Sequence, residues 1–167
     1  MEKEVAEILS KFVGSFKGKE CLDIGTRNGL NMLSLMKYGA TKCTGIDLDD
    51  TRFDEFDKYK LEYPQVRLLK MNLHDMPSNK KYDIISVFLW SMPFHDYDKI
   101  MLKIKELLCP GGMVLIGVYD DVYKNHYPFD GCFIYQTFNK HFKSCRLLKN
   151  NDYDNNSSGQ WIFVLSV

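Results

Sequence analysis

A glycine-bearing turn follows the first apolar, strand-like run of the chain. Asp23, Gly25 and Gly29 form the pattern D-x-G-x-x-x-G, and helical periodicity follows it. Glycine permits a positive φ and lets ligand atoms approach the backbone closely. The nicotinamide and flavin fingerprint G-x-G-x-x-G fails here, because Arg27 and Leu30 occupy two of its three glycine positions. Taken alone, the turn fits either a ligand cradle or a simple strand-to-helix connection.

An acidic cluster ends the second strand-like run. Asp47 lies about 20 residues past the glycine turn, which is the spacing expected of an acid that binds ribose hydroxyls. A carboxylate can accept both hydroxyl protons in a directional, charge-assisted contact. Each acid of this cluster also fits helix capping. We assign capping to Asp50 or Thr51 and the ribose to Asp47.

Two further segments complete a series that follows a fixed order along the chain. Residues 70–77 form the polar loop K-M-N-L-H-D-M-P after the third strand-like run. Residues 82–87 read Y-D-I-I-S-V, and residues 107–116 read L-L-C-P-G-G-M-V-L-I. Together with the glycine turn and Asp47, these segments resemble the motifs of class I S-adenosylmethionine-dependent methyltransferases. The resemblance covers about residues 20–118, and the last part of the chain matches only in layout.

The resemblance implies that S-adenosylmethionine binds across the ends of the first strands. In that family the glycine turn and the end of the fourth strand contact the methionyl part. The acid after the second strand binds the ribose, and the loop after the third strand reads the adenine. This chain departs from the family pattern at Arg27, where glycine is common, and at Asn72, where aspartate is commoner. The cofactor-binding residues that the resemblance implies are Asp23, Gly25, Thr26, Gly29, Asp47, Leu48, Asn72, Leu73 and Phe88.

Strand-like and helix-like segments alternate along the chain, and this alternation must position those residues. Apolar residues recur at helical spacing from Glu2 to Phe16 and again after Asp96. The pattern predicts an α/β fold, which is a Rossmann-like, doubly wound, mainly parallel seven-stranded sheet with helices on both faces. The last two runs, residues 144–149 and 160–167, have no helix between them and predict an antiparallel C-terminal hairpin.

We expect residues 1–167 to form a single domain. Its predicted parts are a leading helix (1–18), a cofactor-binding core (19–118), and a substrate-side loop, helix and closing hairpin (119–167). Within the core, residues 51–62 are predicted as a second crossover helix with its aromatic side chains inward. The Cys-Pro-Gly-Gly segment at residues 109–112 is predicted to end the next helix before a strand that begins at Met113.

The segments after the fourth and fifth strands supply the substrate-side candidates, which are Trp90, His95 and Tyr119. Trp90 fits a core position equally well, and His95 fits a polar loop. No catalytic residue is assigned, because aligning a nucleophile with an activated methyl needs a general base only when the nucleophile arrives protonated and has a high pKa. Residues 91–94 (S-M-P-F) resemble the (D/N/S)-P-P-(Y/F) motif of enzymes that methylate exocyclic amines or amides, but Met92 breaks the double proline.

The charge and the cysteine content limit which classes of binding partner and which cellular compartment we expect. Lys plus Arg and Asp plus Glu both number 22, so the net charge is zero and argues against a nucleic-acid partner or an anionic membrane. The five cysteines include no C-x-x-C pair and lack zinc-ligand spacing, so we expect no metal site and a reducing, cytoplasmic setting. No apolar run is long enough to cross a bilayer.

The function favoured by these patterns is methyl transfer from S-adenosylmethionine to a small-molecule or protein nucleophile. A non-catalytic cofactor-binding or partner-stabilising subunit is the alternative, and Arg27 and Asn72 favour it because both depart from the common pattern. Methylation of an exocyclic amine or amide is a minor alternative. Aminopropyl transfer shares the fold, but the sequence shows no aspartate-rich polyamine site. The leading helix offers a lid or a docking surface for a partner subunit.

Overall fold

The computed structural model describes residues 10–11, 14–88, 97–119, 131–149 and 160–167. Within these ranges seven strands form one sheet: β1 (Glu20–Ile24), β2 (Lys42–Asp47), β3 (Val66–Lys70), β4 (Tyr82–Phe88), β5 (Leu108–Tyr119), β6 (Ser144–Lys149) and β7 (Gln160–Ser166). Besides the helical residues 10–11, the same ranges contain three α-helices, α1 (Leu30–Lys37), α2 (Tyr97–Leu107) and α3 (Gly131–His141), and two 3-10 helices, Phe53–Tyr59 and Leu73–Asp75.

The strands lie in the order β3-β2-β1-β4-β5-β7-β6. All neighbouring pairs up to β5 are parallel, whereas β7 runs antiparallel to both β5 and β6. The predicted mainly parallel sheet with a closing antiparallel hairpin is therefore confirmed. The chain order reverses between β1 and β4, and ligands of such sheets bind beyond the carboxyl ends of the strands at that point.

Apolar side chains cover both faces of the sheet. Successive residues of a strand point to opposite faces, so Leu22 and its neighbour Cys21 join different clusters. The cluster around Leu22 includes Met101 of α2 and Phe138 of α3. The cluster around Cys21 includes Met32 and other residues of α1. The prediction of helices on both faces is confirmed.

The second crossover differs from the predicted α-helix over residues 51–62. It forms a shorter 3-10 helix in which Phe56 is buried and Phe53 and Tyr59 are half-buried. These three aromatic residues recur every third position, and a 3-10 helix has three residues per turn. The spacing that suggested an amphipathic α-helix thus matches the tighter helix better.

The Pro-Gly-Gly segment lies inside β5 and does not precede it. Helix α2 ends at Leu107, and Leu108 already pairs with Tyr82 of β4. The next paired residue of β5 is Met113, opposite Ile84, so the intervening residues form an irregularity of the bulge type. An added Cβ at Gly112 would lie 3.0 Å from the backbone oxygen of Asp83, which explains the glycine.

The predicted leading helix ends earlier than expected. Residues 10–11 are helical, but residues 14–16 are not, and Gly14 has a φ of 80°. Phe16 is fully buried outside the helix. The remainder of the leading segment lies outside the described residues. Among the helices described, none has the length and apolar character needed to cross a membrane.

Candidate functional site

The glycine turn after β1 is fastened to the end of β2. The backbone N–H groups of Gly25 and Thr26 both donate to the carbonyl oxygen of Ile46, at 2.9 and 3.1 Å. The N–H of Arg27 donates to Oδ2 of Asp47 at 2.8 Å. These three hydrogen bonds hold the turn against the strand end whose acid is the predicted ribose ligand.

Three residues of the turn, Gly25, Arg27 and Gly29, adopt the left-handed backbone conformation. Gly25 has a φ of 72°, is exposed, and a Cβ added to it would meet nothing within 4 Å. Arg27 has a φ of 52°, which is uncommon for a residue with a side chain. The turn therefore keeps at Arg27 a backbone conformation that glycine adopts readily, and it leaves open space beside Gly25.

Gly29 serves packing in this structure, although it was predicted as a cofactor-binding residue. It is buried with a φ of 76° at the start of α1. An added Cβ would lie 2.9 Å from Cδ2 of Phe56 and 3.2 Å from Cδ2 of Leu68. Gly45 of β2 is similar, because a Cβ there would lie 2.7 Å from Oγ1 of Thr26. Both glycines let the turn and α1 pack closely on the sheet.

We expect Gly29→Ala to destabilise the fold by about 2–6 kcal/mol, because a strained φ and overpacking each cost about 1–3 kcal/mol. Gly18→Ala is the matched control, since Gly18 has a φ of 80° but open space around its Cα. The control should show only the smaller backbone cost. Urea unfolding of both variants measures the difference, and equal losses would contradict the packing role.

Asp23 is a buried carboxyl group at the end of β1, where it pairs in register with Ser86 of β4. The Ser86 hydroxyl donates to Oδ1 of Asp23 at 2.6 Å. Oδ2 of Asp23 and Oγ1 of Thr26 are buried without a hydrogen-bond partner in the part of the chain that the structure describes. Burial raises the pKa of Asp23 from 3.8 to about 6; the Ser86 hydrogen bond foremost, and the nearby side chains of Thr26 and Asn31, oppose this rise, and the charge of Asp47 adds to it. A cationic donor at Oδ2 would offset the cost of burying this oxygen unpaired.

The acids after β2 divide their roles differently from the prediction. Asp47 accepts the N–H of Asp49 at Oδ1 (3.1 Å) as well as the N–H of Arg27 at Oδ2. The 3-10 helix that follows has Arg52 at its N-cap and no side-chain cap, so the predicted capping by Asp50 or Thr51 is wrong. Asp49 stabilises the local turn before it, because its carboxylate accepts both the N–H and the hydroxyl of Thr51 at 2.9 Å. Asp50 instead forms an ion pair with Lys70 at 2.9 Å, which lowers the pKa of Asp50.

Leu48 presents an apolar surface next to Asp47. Its relative exposure is 68%, which is high for a leucine and places an unpartnered side chain at the end of β2. A hydrogen bond also holds the loop after β3 at the end of β2, because the N–H of Met71 donates to the carbonyl oxygen of Asp47 at 2.8 Å. Leu48 and Asn72 thus flank the strand end that carries Asp47.

Asn72 caps the second 3-10 helix. Its Oδ1 accepts the N–H of His74 at 3.0 Å, and Leu73, the first helical residue, is buried. The amide oxygen has a second lone pair and the amide nitrogen has two donors, so capping leaves Asn72 with hydrogen-bonding capacity. The first N–H groups of a helix have no acceptor within the helix. The N–H of Leu73 is one of these groups, because Leu73 is the first residue of this helix.

Sequence reasoning missed a contact that ties the glycine turn to the first 3-10 helix. Nδ2 of Asn28 donates to Oε2 of Glu55 at 2.9 Å, and Arg52 binds the same carboxylate through two nitrogens at 2.6 and 3.1 Å. Arg52 foremost, with help from Asn28, lowers the pKa of Glu55 to about 2. The spacing of Arg52 and Glu55 signals an ion pair within one turn, but nothing local indicates Asn28.

The structure describes only one of the three substrate-side candidates. Trp90 and His95 lie outside the described residues. Tyr119 is the last residue of β5, and Phe88, a predicted cofactor-binding residue, ends β4 opposite Gly117.

In the described ranges no group of three or more His, Cys, Asp or Glu residues is arranged to hold a metal ion. The structure describes the following cysteines as free thiols: Cys21, Cys43, Cys109 and Cys145.

Comparison with known proteins identifies the family to which this fold and site belong. The sequence matches the family described as "Methyltransferase domain" over residues 1–166, so the chain belongs to that family. Its fold is the Rossmann-like fold of class I S-adenosylmethionine-dependent methyltransferases. The T. thermophilus 16S rRNA N2 G1207 methyltransferase, solved in complex with AdoMet and guanosine, shares this fold with a TM-score of 0.71 at 16% identity, over 99% of this chain and 42% of that chain.

Two curated relatives resemble part of the chain. The ribosomal protein L11 methyltransferase of Shewanella woodyi is 32% identical over 104 residues, which is 61% of this chain and 34% of that protein. The tRNA U34 carboxymethyltransferase of Aliivibrio salmonicida is 29% identical over 105 residues, which is 59% of this chain and 32% of that protein. The chain thus spans about a third of the length of these relatives.

Proposed function

We propose that this chain binds S-adenosylmethionine at the carboxyl ends of β1, β2 and β3 and directs transfer of its methyl group to a nucleophile. The observation that carries the proposal is the buried, unpaired Oδ2 of Asp23 beside a glycine turn with open space at Gly25. The cofactor's ammonium group is a donor of the kind that Oδ2 lacks. Family membership and the fold supply independent support.

The remaining residues fit the other parts of the cofactor. We assign the ribose hydroxyls to Asp47, whose two oxygens each accept one backbone N–H and retain further lone pairs. We assign the adenine to the exposed side chain of Leu48 and to Asn72 with the N–H of Leu73. Thr26 and Phe88 are assigned to the methionyl end. Gly29 acts indirectly by letting α1 pack against the sheet.

The cofactor supplies a methyl group already activated on a positive sulfur. The chain's own task is then to hold the cofactor, to align the nucleophile and to exclude water. Alignment alone can contribute up to roughly 7–11 kcal/mol of barrier lowering in favourable cases. Trp90, His95 and Tyr119 remain the proposed substrate-side residues, with Tyr119 at the end of the strand next to β4.

The proposed methyl acceptor is a nucleophilic group on a protein, on a small molecule or on a structured RNA. The neutral charge argued against nucleic acid, but one relative is named for tRNA and another for a ribosomal protein, so the relatives give that exclusion no support. Residues 1–167 are proposed as one domain in the cytoplasm. We also propose that the leading segment offers a docking surface for a partner subunit.

Calorimetry with S-adenosylmethionine and S-adenosylhomocysteine tests the cofactor assignment. We expect both to bind and NAD to give no heat, because the dinucleotide fingerprint fails at Arg27 and Leu30. Transfer of a labelled methyl group to purified ribosomal proteins, tRNA, rRNA and a metabolite extract then identifies the acceptor class. Absence of binding would refute the proposal. Tight binding without transfer to any acceptor would favour the non-catalytic alternative.

A further inference from the structure

Ser86 is one of four polar or charged residues described as buried, and its hydroxyl faces Asp23 across the β1–β4 pair. Its Oγ lies 2.6 Å from Oδ1 of Asp23 and 3.4 Å from the carbonyl oxygen of Leu22. The shorter, charge-assisted contact is the stronger of the two. A hydroxyl carries one proton, so the Ser86 proton is committed to Asp23.

This hydrogen bond restricts the orientation of the carboxyl group. With Oδ1 bound to β4, the group cannot rotate freely, and Oδ2 is left beside the Thr26 end of the glycine turn. Oδ2 has no partner in the described ranges. Two identical oxygens therefore have different roles because a single donor on the neighbouring strand distinguishes them.

We propose that Ser86 is a positioning residue for the cofactor site, because it holds Oδ1 of Asp23 and so presents Oδ2 as the acceptor for the cofactor's ammonium group. This inference rests on the proposed function and deepens it. Ser86 acts through Asp23 and is not assigned a contact with the cofactor. The hydroxyl also stabilises the ionised carboxylate, which is the form that attracts a cation.

The charges around Asp23 come from few sources. Asp47 at the end of β2 is the negative group that acts on it, and the polar side chains near it, Ser86 of β4, Thr26 of the glycine turn and Asn31 of α1, are uncharged. The neighbouring thiol of Cys43 on β2 has its pKa raised well above the usual range, first by its hydrogen bond with Cys21 and then by burial, so it stays neutral. The Ser86 hydrogen bond is thus the largest of the effects that favour the ionised form of Asp23.

Ser86→Ala and Ser86→Thr test the proposal in the full chain without and with cofactor. Carboxyl carbon NMR follows the titration of Asp23 in the ligand-free protein. The midpoint should move up by about one pH unit or more in the alanine variant, since a hydrogen bond to a charged group is worth about that much. The threonine variant keeps the hydroxyl and should keep the midpoint. If the added methyl prevents folding, Ser86→Cys replaces it and should give an intermediate midpoint, because a thiol is a weaker donor.

Calorimetry at pH 7 supplies the second measurement. Ser86→Ala should bind S-adenosylhomocysteine about 10-fold more weakly, whereas an analogue without the amino group should bind the wild type and the variant alike. Thr44→Val is the matched control, because Thr44 is a buried hydroxyl on β2 that is not among the groups acting on the Asp23 carboxyl group. It should change neither the midpoint nor the preference for the amino group.

Two outcomes separate this proposal from the proposed function. A chain that binds the cofactor, but in which Ser86→Ala shifts neither the Asp23 titration nor the preference for the amino group, overturns the role of Ser86 alone. A wild-type chain that binds no cofactor overturns the proposed function and the ammonium assignment with it. A shifted midpoint in that case would still show that Ser86 controls the Asp23 carboxyl group.

Discussion

Asp23→Asn should stabilise the ligand-free fold by about 3 kcal/mol at pH 8 while weakening cofactor binding roughly 10- to 100-fold. The fold holds the pKa of Asp23 near 6, against 3.8 for the unperturbed group, because the carboxyl is buried. At 1.36 kcal/mol per pKa unit, this rise corresponds to about 3 kcal/mol of cost for the ionised form. An asparagine carries no charge, and its amide can donate to the unpaired Oγ1 of Thr26.

The sign of the pH dependence follows from the direction of the pKa change. Between about pH 4 and pH 6 the folded chain binds a proton at Asp23 that the unfolded chain has already released. Wild-type stability therefore falls as the pH rises through this window and remains lower above it. The contribution of this group is fully favourable only below the unfolded pKa. Asp23→Asn should lack this part of the pH dependence.

Urea unfolding at pH 4, 6 and 8 measures the difference between wild type and variant. Asp83→Asn is the control, since Asp83 on β4 accepts the N–H of Glu20 at 2.9 Å and is not deeply buried. The control should bring no gain at pH 8. Cofactor affinity of the wild type should fall as the pH drops below about 6, because the protonated carboxyl no longer attracts the ammonium group. A variant no more stable than wild type at pH 8 would contradict the buried-charge account.

Local pattern was sufficient to predict where the main candidate residues lie in the fold. Asp23 and Asp47 each end an apolar run, and parallel strands bring their carboxyl ends to one edge of the sheet. The alternation of strands and helices then fixed the layering and the closing hairpin. These features depend on residues close together in the chain, where periodicity carries the information.

The contacts between those landmarks could not be predicted in the same way. Ser86 meets Asp23 only because β4 lies beside β1 in one register, and the two residues are 63 positions apart. Asn28 of the glycine turn meets Glu55 of the 3-10 helix after β2, and these two residues are 27 positions apart. Register and helix type are set by packing across the whole sheet, as shown by Phe56 filling the space beside Gly29.

Arg27 illustrates how a departure from a family pattern can leave the backbone intact. Its φ of 52° is in the region where glycine is commonest, and its N–H binds Asp47. The turn is therefore held in shape by a hydrogen bond to a residue assigned to the ribose. A single carboxylate both fastens the turn and, in our proposal, binds the cofactor, so its removal should have a larger effect than the loss of either contact alone.

Asp47→Ala should lower the affinity for S-adenosylhomocysteine by roughly 100-fold or more, because hydrogen bonds to a charged group contribute about 1.5–3 kcal/mol each. The substitution removes the acceptor for the N–H groups of Arg27 and Asp49 as well as the proposed ribose ligand. Asp47→Asn keeps an oxygen for one backbone N–H but cannot accept from two hydroxyls as a carboxylate does. We expect it to bind at an affinity between those of the wild type and the alanine variant.

An analogue of S-adenosylhomocysteine that lacks the ribose hydroxyls separates the two roles of Asp47. If Asp47 binds the ribose, the wild type should lose most of its advantage over Asp47→Ala when the hydroxyls are absent, leaving only the effect of the loosened turn. Asp50→Ala is the matched control, since it removes the same charge nearby from a carboxylate that pairs with Lys70. An undiminished advantage of the wild type for the analogue would show that Asp47 acts solely by fastening the turn, and the ribose assignment would then be wrong.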